Sequence, residues 1–287
     1  MRALVLSGGG VKGAYQVGAL QKWIYEDAID YDAFCGVSVG AINSAFLAQF
    51  PGGNPQDAWT KLKAIWDRVT TKNIKKGWWP LGIIESLWKP SVYNSKPLQD
   101  WIHQELDQGA ITQSGKSLRI VAVSWDTFQP RVVTEADSQI PDWVLASASF
   151  PVFLLPITLN GQLWTDGGAR SVTPLGEAIR LGATEIDIIM CSNPDSVPAP
   201  TDPGLAAIPG FLERAVSIMS NQIEVADFKI CGLKNDLVEL RPEYRKVQLR
   251  LLQPRVPLTD DSLNFDPVAI KRMMAQGYRD ACVLENT

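Results

Sequence analysis

The chain has one histidine among its 287 residues, His103. Any mechanism that moves a proton through imidazole has to use it. His103 sits in PLQDWIHQEL, where Leu98, Trp101, Ile102 and Leu106 form the apolar stripe of a helix. Its expected place is therefore a partly exposed helix face, not a reaction centre. Cysteine is also scarce: Cys35, Cys191, Cys231 and Cys282, with no C-x-x-C pair and no histidine nearby. Those spacings fit neither a zinc site nor a disulfide framework, and a reducing, cytoplasmic compartment is the expectation. There is no run of 18 apolar residues, so no membrane-spanning helix is predicted. The N-terminus has neither a charged leader region nor a small-residue cleavage site, and LVLSGGG reads as a strand and a loop. Basic charge is short too. Lys+Arg number 27 against 31 Asp+Glu, a net charge of −4 with a pI near 5.2, which is no footprint for nucleic acid.

What is present is an ordinary globular composition, 46% hydrophobic and 20% charged. Periodicity predicts strands over 2–6, 32–37, 118–125, 131–134, 185–190 and 247–251, and a hairpin of 155–159 with 162–165 about Asn160-Gly161. Helices are predicted over 12–27, 39–50, 56–69, 97–107, 141–150, 174–181, 208–231 and 267–283, with 70–93 irregular and 193–204 a proline-rich connection. The helix over 39–50 is apolar almost all round and is expected to be buried. Strands alternating with helices predict a layered α/β fold around a mostly parallel sheet, and residues 1–287 are read as one domain.

Three short stretches carry chemistry. The first follows the opening strand: Gly8, Gly10 and Gly13 spell Gly-x-Gly-x-x-Gly ahead of a helix. Such a row of backbone N–H groups can bind the pyrophosphate of a dinucleotide, with Glu26, Asp27, Asp30 or Asp32 reaching the ribose. It can equally bind the oxyanion of an acyl-transfer intermediate. A Walker loop is excluded, because Ala14-Tyr15 stands where Lys-Ser or Lys-Thr is required. The second stretch, Gly36-Val37-Ser38-Val39-Gly40, is Gly-x-Ser-x-Gly between a strand and a helix, the pattern of a nucleophile elbow. The third is Asp166-Gly167-Gly168 at a strand end. Asp166 is a candidate base, with an expected pKa of about 3.9 that leaves it charged at neutral pH. Cys35, one residue before the elbow, reads as a small packed residue. Lys12 reads either as a solvated first-turn lysine or as positive potential for a phosphate headgroup.

Together, in this order, these stretches resemble the patatin-like phospholipase family, which carries Gly-Gly-Gly-x-Lys/Arg-Gly, Gly-x-Ser-x-Gly and Asp-Gly-Gly or Asp-Gly-Ala. Ala146-Ser147-Ala148-Ser149-Phe150-Pro151 and Tyr93-Asn94-Ser95-Lys96-Pro97-Leu98 are similar to two further segments of that family. The resemblance covers at least residues 2–190. It implies a three-layer α/β sandwich related in logic to α/β hydrolases, with a Ser–Asp dyad that needs no histidine. On it, Ser38 is the nucleophile and Asp166 the base. Gly8, Gly9 and Gly10 form the oxyanion hole, and Lys12, Gly13, Gly36, Gly40, Gly167 and Gly168 support the motifs. The implied reaction is hydrolysis of lipid acyl esters, with no metal and no cofactor.

The segment 72–89, KNIKKGWWPLGIIESLWK, sets Trp78, Trp79 and Trp88 among lysines. It reads either as a membrane-peripheral patch or lid, or as a loop folded onto the domain. Two other functions remain open at this point: a nucleotide-binding protein or reductase using the glycine loop, and a catalytically silent lipid-binding protein.

Overall fold

The computed structural model describes residues 1–78, 89, 91–193, 246–259 and 261–284. The helix expected over 208–231, with Cys231, lies outside the described residues, as do Trp79 and Trp88.

The elements run β1 (Arg2–Leu6), α1 (Gly13–Leu20), β2 (Ala33–Gly36), α2 (Val39–Leu47), α3 (Pro55–Arg68), α4 (Thr71–Ile74), α5 (Lys96–Glu105) and α6 (Gln108–Gln113). Then come β3 (Ser117–Ser124), β4 (Pro130–Thr134), α7 (Ile140–Ser147), β5 (Ile157–Leu159), β6 (Gln162–Asp166), α8 (Leu175–Arg180), β7 (Glu185–Ile189), β8 (Gln248–Leu252) and α9 (Pro267–Leu284). The strands form one sheet. β1, β2, β3, β7 and β8 pair in parallel, while β4, β5 and β6 join antiparallel.

Alternation along the strands divides the core in two. Leu4, Leu6, Phe34, Leu118 and Ile120 face a layer that includes α1, α2, α3, α7 and α9. Ala3, Val5, Cys35, Ile186 and Ile188 face the other side, where Leu175 and Ala178 of α8 cover them. Helices on both sides of a mixed, mostly parallel sheet are the expected layering.

Two departures have local causes. The helix expected over 12–27 is α-helical only to Leu20 and then widens into a π-helical stretch, Gln21–Glu26. Apolar periodicity near 3.6 residues does not distinguish the two. The short α4 and α6, in stretches with no predicted helix, are set by caps: Thr70 with Asn73 for α4, and Asp107 accepting from Ala110 N–H for α6.

Helices α1 and α9 touch backbone to backbone. A Cβ at Gly18 would lie 1.9 Å from the Met274 carbonyl oxygen, and one at Gly277 would lie 2.0 Å from that of Tyr15. Only glycine fits at this crossing. Elsewhere, Asp187 is buried in β7 and accepts from the Arg2 and Arg250 guanidinium groups and from the Tyr31 hydroxyl, at 2.7 to 2.9 Å.

Candidate active site

The register of β3 creates the site. Arg119 and Ile120 pair with β2 on one side and β4 on the other, whereas Ala122 and Val123 pair with β4 and with β6. Strands β2 and β6 therefore lie end to end along one edge of β3, running towards each other. β2 stops at Gly36, opposite Ile120, and β6 stops at Asp166, opposite Ala122. The residues that leave these two strand ends, Ser38 and Asp166, meet above Val121.

Each end is shaped by glycine. A Cβ at Gly36 would lie 2.2 Å from the Gly40 carbonyl oxygen, and a Cβ at Gly40 would lie 2.2 Å from that of Leu6. The chain therefore turns from β2 into α2 while pressed against itself and β1. A Cβ at Gly167 would lie 2.1 Å from the Val121 carbonyl oxygen. Ser38 itself has φ 57° and ψ −126°, a strained backbone for a non-glycine residue. Its N–H donates to Ser147 Oγ at 3.1 Å, and Ser147 Oγ–H donates to the Val121 carbonyl at 2.7 Å. Ser147, fully buried at the end of α7, thus ties the elbow to β3.

Asp166 is 2% exposed. Its Oδ1 accepts from Gly168 N–H at 2.7 Å, and the Ser38 side chain lies beside its carboxyl group, close enough to favour the ionised form. Burial pushes the carboxyl up from the ordinary range to about 7, against the opposing pull of the Ser38 side chain and the Gly168 N–H. The expectation of an ordinary, fully ionised aspartate is thereby corrected. No cation pairs with it among the described residues, so desolvation dominates.

The glycine loop lies beside the serine: a Cβ at Gly8 would stand 3.2 Å from Ser38 Cβ. The expected row of free amides is shorter than the sequence suggests. Gly8 N–H donates to the Val172 carbonyl at 3.0 Å, and Val11 N–H to the Ser262 carbonyl at 2.8 Å. Gly8 is thus removed as an oxyanion donor. The Gly9 and Gly10 amides donate to no protein group among the described residues. Both glycines are obligatory, since a Cβ would come within 2.5 Å of Cys191 Cβ at Gly9 and 2.2 Å of the Ser262 carbonyl oxygen at Gly10. Gly13 lets the α1 start pass Val39 and Trp66, which a Cβ would meet at 2.4 and 2.9 Å. Lys12 is half-buried and makes no ion pair among the described residues.

Beneath the loop is a polar network that sequence reading missed. Gln16 Nε2 donates to the Ser7 carbonyl at 2.8 Å, and Asn43 Nδ2 donates to Gln16 Oε1 at 2.9 Å. Trp66 Nε1 donates to Asn43 Oδ1 at 2.9 Å, and Cys191 N–H donates to Ser7 Oγ at 2.8 Å. Gln16 and Asn43 are completely buried. The available signal was a lone amide within each of two otherwise apolar helices.

His103 is outside the site. Its Nε2 lies 2.8 Å from Asp142 Oδ1 at the surface, with 44% of its side chain exposed. Burial raises the Cys35 thiol far above its ordinary pKa, so it is a packed residue with little thiolate. Trp78 is half-buried, and its indole N–H donates to the Ser91 carbonyl at 3.0 Å. The described residues contain no cluster of three or more His, Cys, Asp or Glu able to hold a metal. No described helix is long and apolar enough to cross a membrane.

A strained serine on a strand–helix turn, against a buried carboxyl group and a glycine loop, defines a nucleophile-elbow protein on an α/β sheet. Comparison with known proteins makes this specific. Residues 4–179 match the family model described as patatin-like phospholipase, and the chain belongs to that family. It is 29% identical over 197 residues to the uncharacterized Escherichia coli protein YjjU, covering 65% of this chain and 51% of that one. A patatin-like phospholipase domain-containing protein of Pyricularia oryzae is 27% identical over 196 residues, covering 60% and 24%. The crystal structure of VipD from Legionella pneumophila shares the fold, with a TM-score of 0.52 at 17% identity over 99% of this chain and 66% of that one. The chain thus spans about half the length of YjjU and a quarter of the fungal relative.

Proposed function

We propose that the protein is a serine acyl hydrolase that cleaves carboxylic ester bonds of phospholipids or lysophospholipids through Ser38 and Asp166. The observation that carries this reading is the approach of the Ser38 side chain to a buried Asp166 carboxyl group at the meeting of two strand ends. In its ionised form, Asp166 takes the Ser38 proton as Oγ attacks the ester carbonyl. The oxygen that becomes negative faces the Gly9 and Gly10 amides. Collapse of the tetrahedral intermediate expels the alcohol, which takes the proton back from Asp166 and leaves an acyl group on Ser38. Water, deprotonated by the same carboxylate, then releases the fatty acid. A pKa near neutrality suits a group that must accept and return a proton in one cycle.

The dinucleotide reading loses its support at the same loop. With the Gly8 and Val11 amides already occupied, two donors remain, enough for one oxyanion but few for a pyrophosphate cradle. The test is steady-state hydrolysis of a short-chain nitrophenyl ester and of phosphatidylglycerol. Ser38→Ala and Asp166→Asn are each expected to lose activity by about a thousandfold or more with the fold retained. Wild-type-like turnover by either variant would overturn the proposal.

A further inference from the structure

Three glycines in a row do little by themselves to hold a hydrogen-bond donor still. Gly9 has φ 154° and Gly10 φ 59°, and neither has a side chain to resist rotation of the peptides beside it. An oxyanion hole works only when its N–H groups are aimed before the charge appears. The loop therefore needs holds from outside the glycines, and Ser7 supplies one.

Ser7 follows β1 and is completely buried. Each of its polar groups is engaged. Its N–H donates to the Ile189 carbonyl at 3.2 Å, and its carbonyl accepts from Gln16 Nε2 at 2.8 Å. Its Oγ accepts from Cys191 N–H at 2.8 Å and donates to the Gly8 carbonyl at 3.1 Å. Ile189 ends β7, Cys191 lies two residues beyond it, and Gln16 belongs to α1. The hydroxyl is thus fixed to the framework on one side and grips the loop on the other. The Cys191 bond alone would serve the sheet. The bond to Gly8 serves only the loop.

The Gly8 carbonyl is the other half of the Gly9 amide. In a planar trans peptide the C=O and N–H point in opposite directions, so a hold on one aims the other. By holding the Gly8 oxygen, the Ser7 hydroxyl turns Gly9 N–H away from β7, and that N–H donates to no protein group among the described residues. The next peptide is held by backbone alone: the Gly9 carbonyl accepts from Lys12 N–H at 3.2 Å. Gly8 itself lies against Ser38, where a Cβ would stand 3.2 Å from Ser38 Cβ.

We propose that Ser7 is a positioning residue whose hydroxyl aims the Gly9 amide at the oxygen that becomes negative during acyl transfer. The inference rests on the acyl-hydrolase reading above. Without the hydroxyl, the Gly8–Gly9 peptide can rotate, and a rotated peptide presents a carbonyl oxygen where a donor is needed.

The experiment compares wild type, Ser7→Ala and Ser7→Cys in hydrolysis of a soluble short-chain nitrophenyl ester, in reducing buffer, with urea unfolding as the check on fold. Cysteine nearly keeps the volume but donates weakly, so it guards against an alanine variant that does not fold. In Ser7→Ala, kcat is expected to fall about tenfold to a hundredfold with KM little changed. Ser7→Cys is expected to lose at least about threefold. The pH midpoint near 7 should stay, because Asp166 is untouched. An alkyl trifluoromethyl ketone gives the second readout. Ser38 Oγ adds to its carbonyl carbon, the Ser38 proton passes to Asp166, and the carbonyl oxygen becomes the anion. Its affinity should weaken by the same factor as kcat/KM, because both depend on one oxyanion. A merely structural Ser7 would lower stability and leave kcat and ketone affinity alone. That result, a fall in kcat with unchanged ketone affinity, or a moved pH midpoint would each overturn the proposal. A wild-type protein with no esterase activity refutes the hydrolase reading and this inference with it. An active wild type whose kcat survives Ser7→Cys refutes this inference alone.

Discussion

Asp166→Asn makes an unusual prediction: the variant expected to lose activity is the more stable protein in alkaline solution. The wild-type carboxyl titrates near 3.8 when unfolded and near 7 when buried in the fold. Its folded pKa is raised, so the native state holds the proton more tightly than the unfolded state does. Stability is then greatest below about pH 4 and falls as the pH rises towards 7, because the unfolded chain ionises freely and the native chain does not. The slope approaches 1.4 kcal/mol per pH unit, which gives about 2 to 3 kcal/mol between pH 5 and pH 8. Asparagine keeps an Oδ1 acceptor for Gly168 N–H and carries no charge to desolvate. All other titrating groups are common to both proteins and cancel in the difference. Urea unfolding of both proteins at pH 5 and pH 8 measures that difference. The advantage of the asparagine variant is expected to grow by about 2 to 3 kcal/mol from the lower pH to the higher. A difference that stays constant, or shrinks, refutes the account of Asp166 as a carboxyl group destabilised by burial.

Other consequences follow from the same geometry. The kcat/KM for a soluble ester should rise with pH through a midpoint near 7, because only ionised Asp166 accepts the Ser38 proton; a midpoint near 4 in a pH–rate profile would contradict this. Ser147→Ala removes the acceptor of Ser38 N–H, so kcat is expected to fall about tenfold or more with KM little changed, and wild-type kcat would show the tie to be dispensable. His103→Ala should keep full activity at every pH tested, and a large loss would return imidazole to the mechanism. Asp187→Ala leaves Arg2, Arg250 and Tyr31 without their shared acceptor and should lower stability by about 3 kcal/mol in chemical denaturation; a loss under 1 kcal/mol would mean the cluster relaxes into water.

The chemistry was legible where it is local. Gly36 is demanded by a contact within its own strand–turn–helix unit and Gly40 by the neighbouring β1, yet both fall within five consecutive residues whose pattern announced the elbow. The closing helix and the apolar stripe of α5 were equally plain. The pairing of Ser38 with Asp166 came only from the family resemblance, because its physical basis is β2 and β6 sharing one edge of β3 from opposite directions, a register set by contacts far apart in sequence. For the same reason the loss of the Gly8 amide was hidden: its acceptor, Val172, is distant along the chain. Gln16 and Asn43 passed as ordinary helix residues, since a buried amide and an exposed one look alike until the partners are placed. The shifted pKa of Asp166 depends on burial, which no motif encodes.

The central claim is that Ser38 is a nucleophile activated by Asp166. Reacting the protein with a fluorophosphonate and locating the adduct by mass spectrometry tests it most directly. The account predicts one adduct on Ser38, formed faster as the pH rises through 7, absent from Ser38→Ala and strongly slowed in Asp166→Asn. An adduct on another residue, or none on folded protein presented with vesicles, would contradict it.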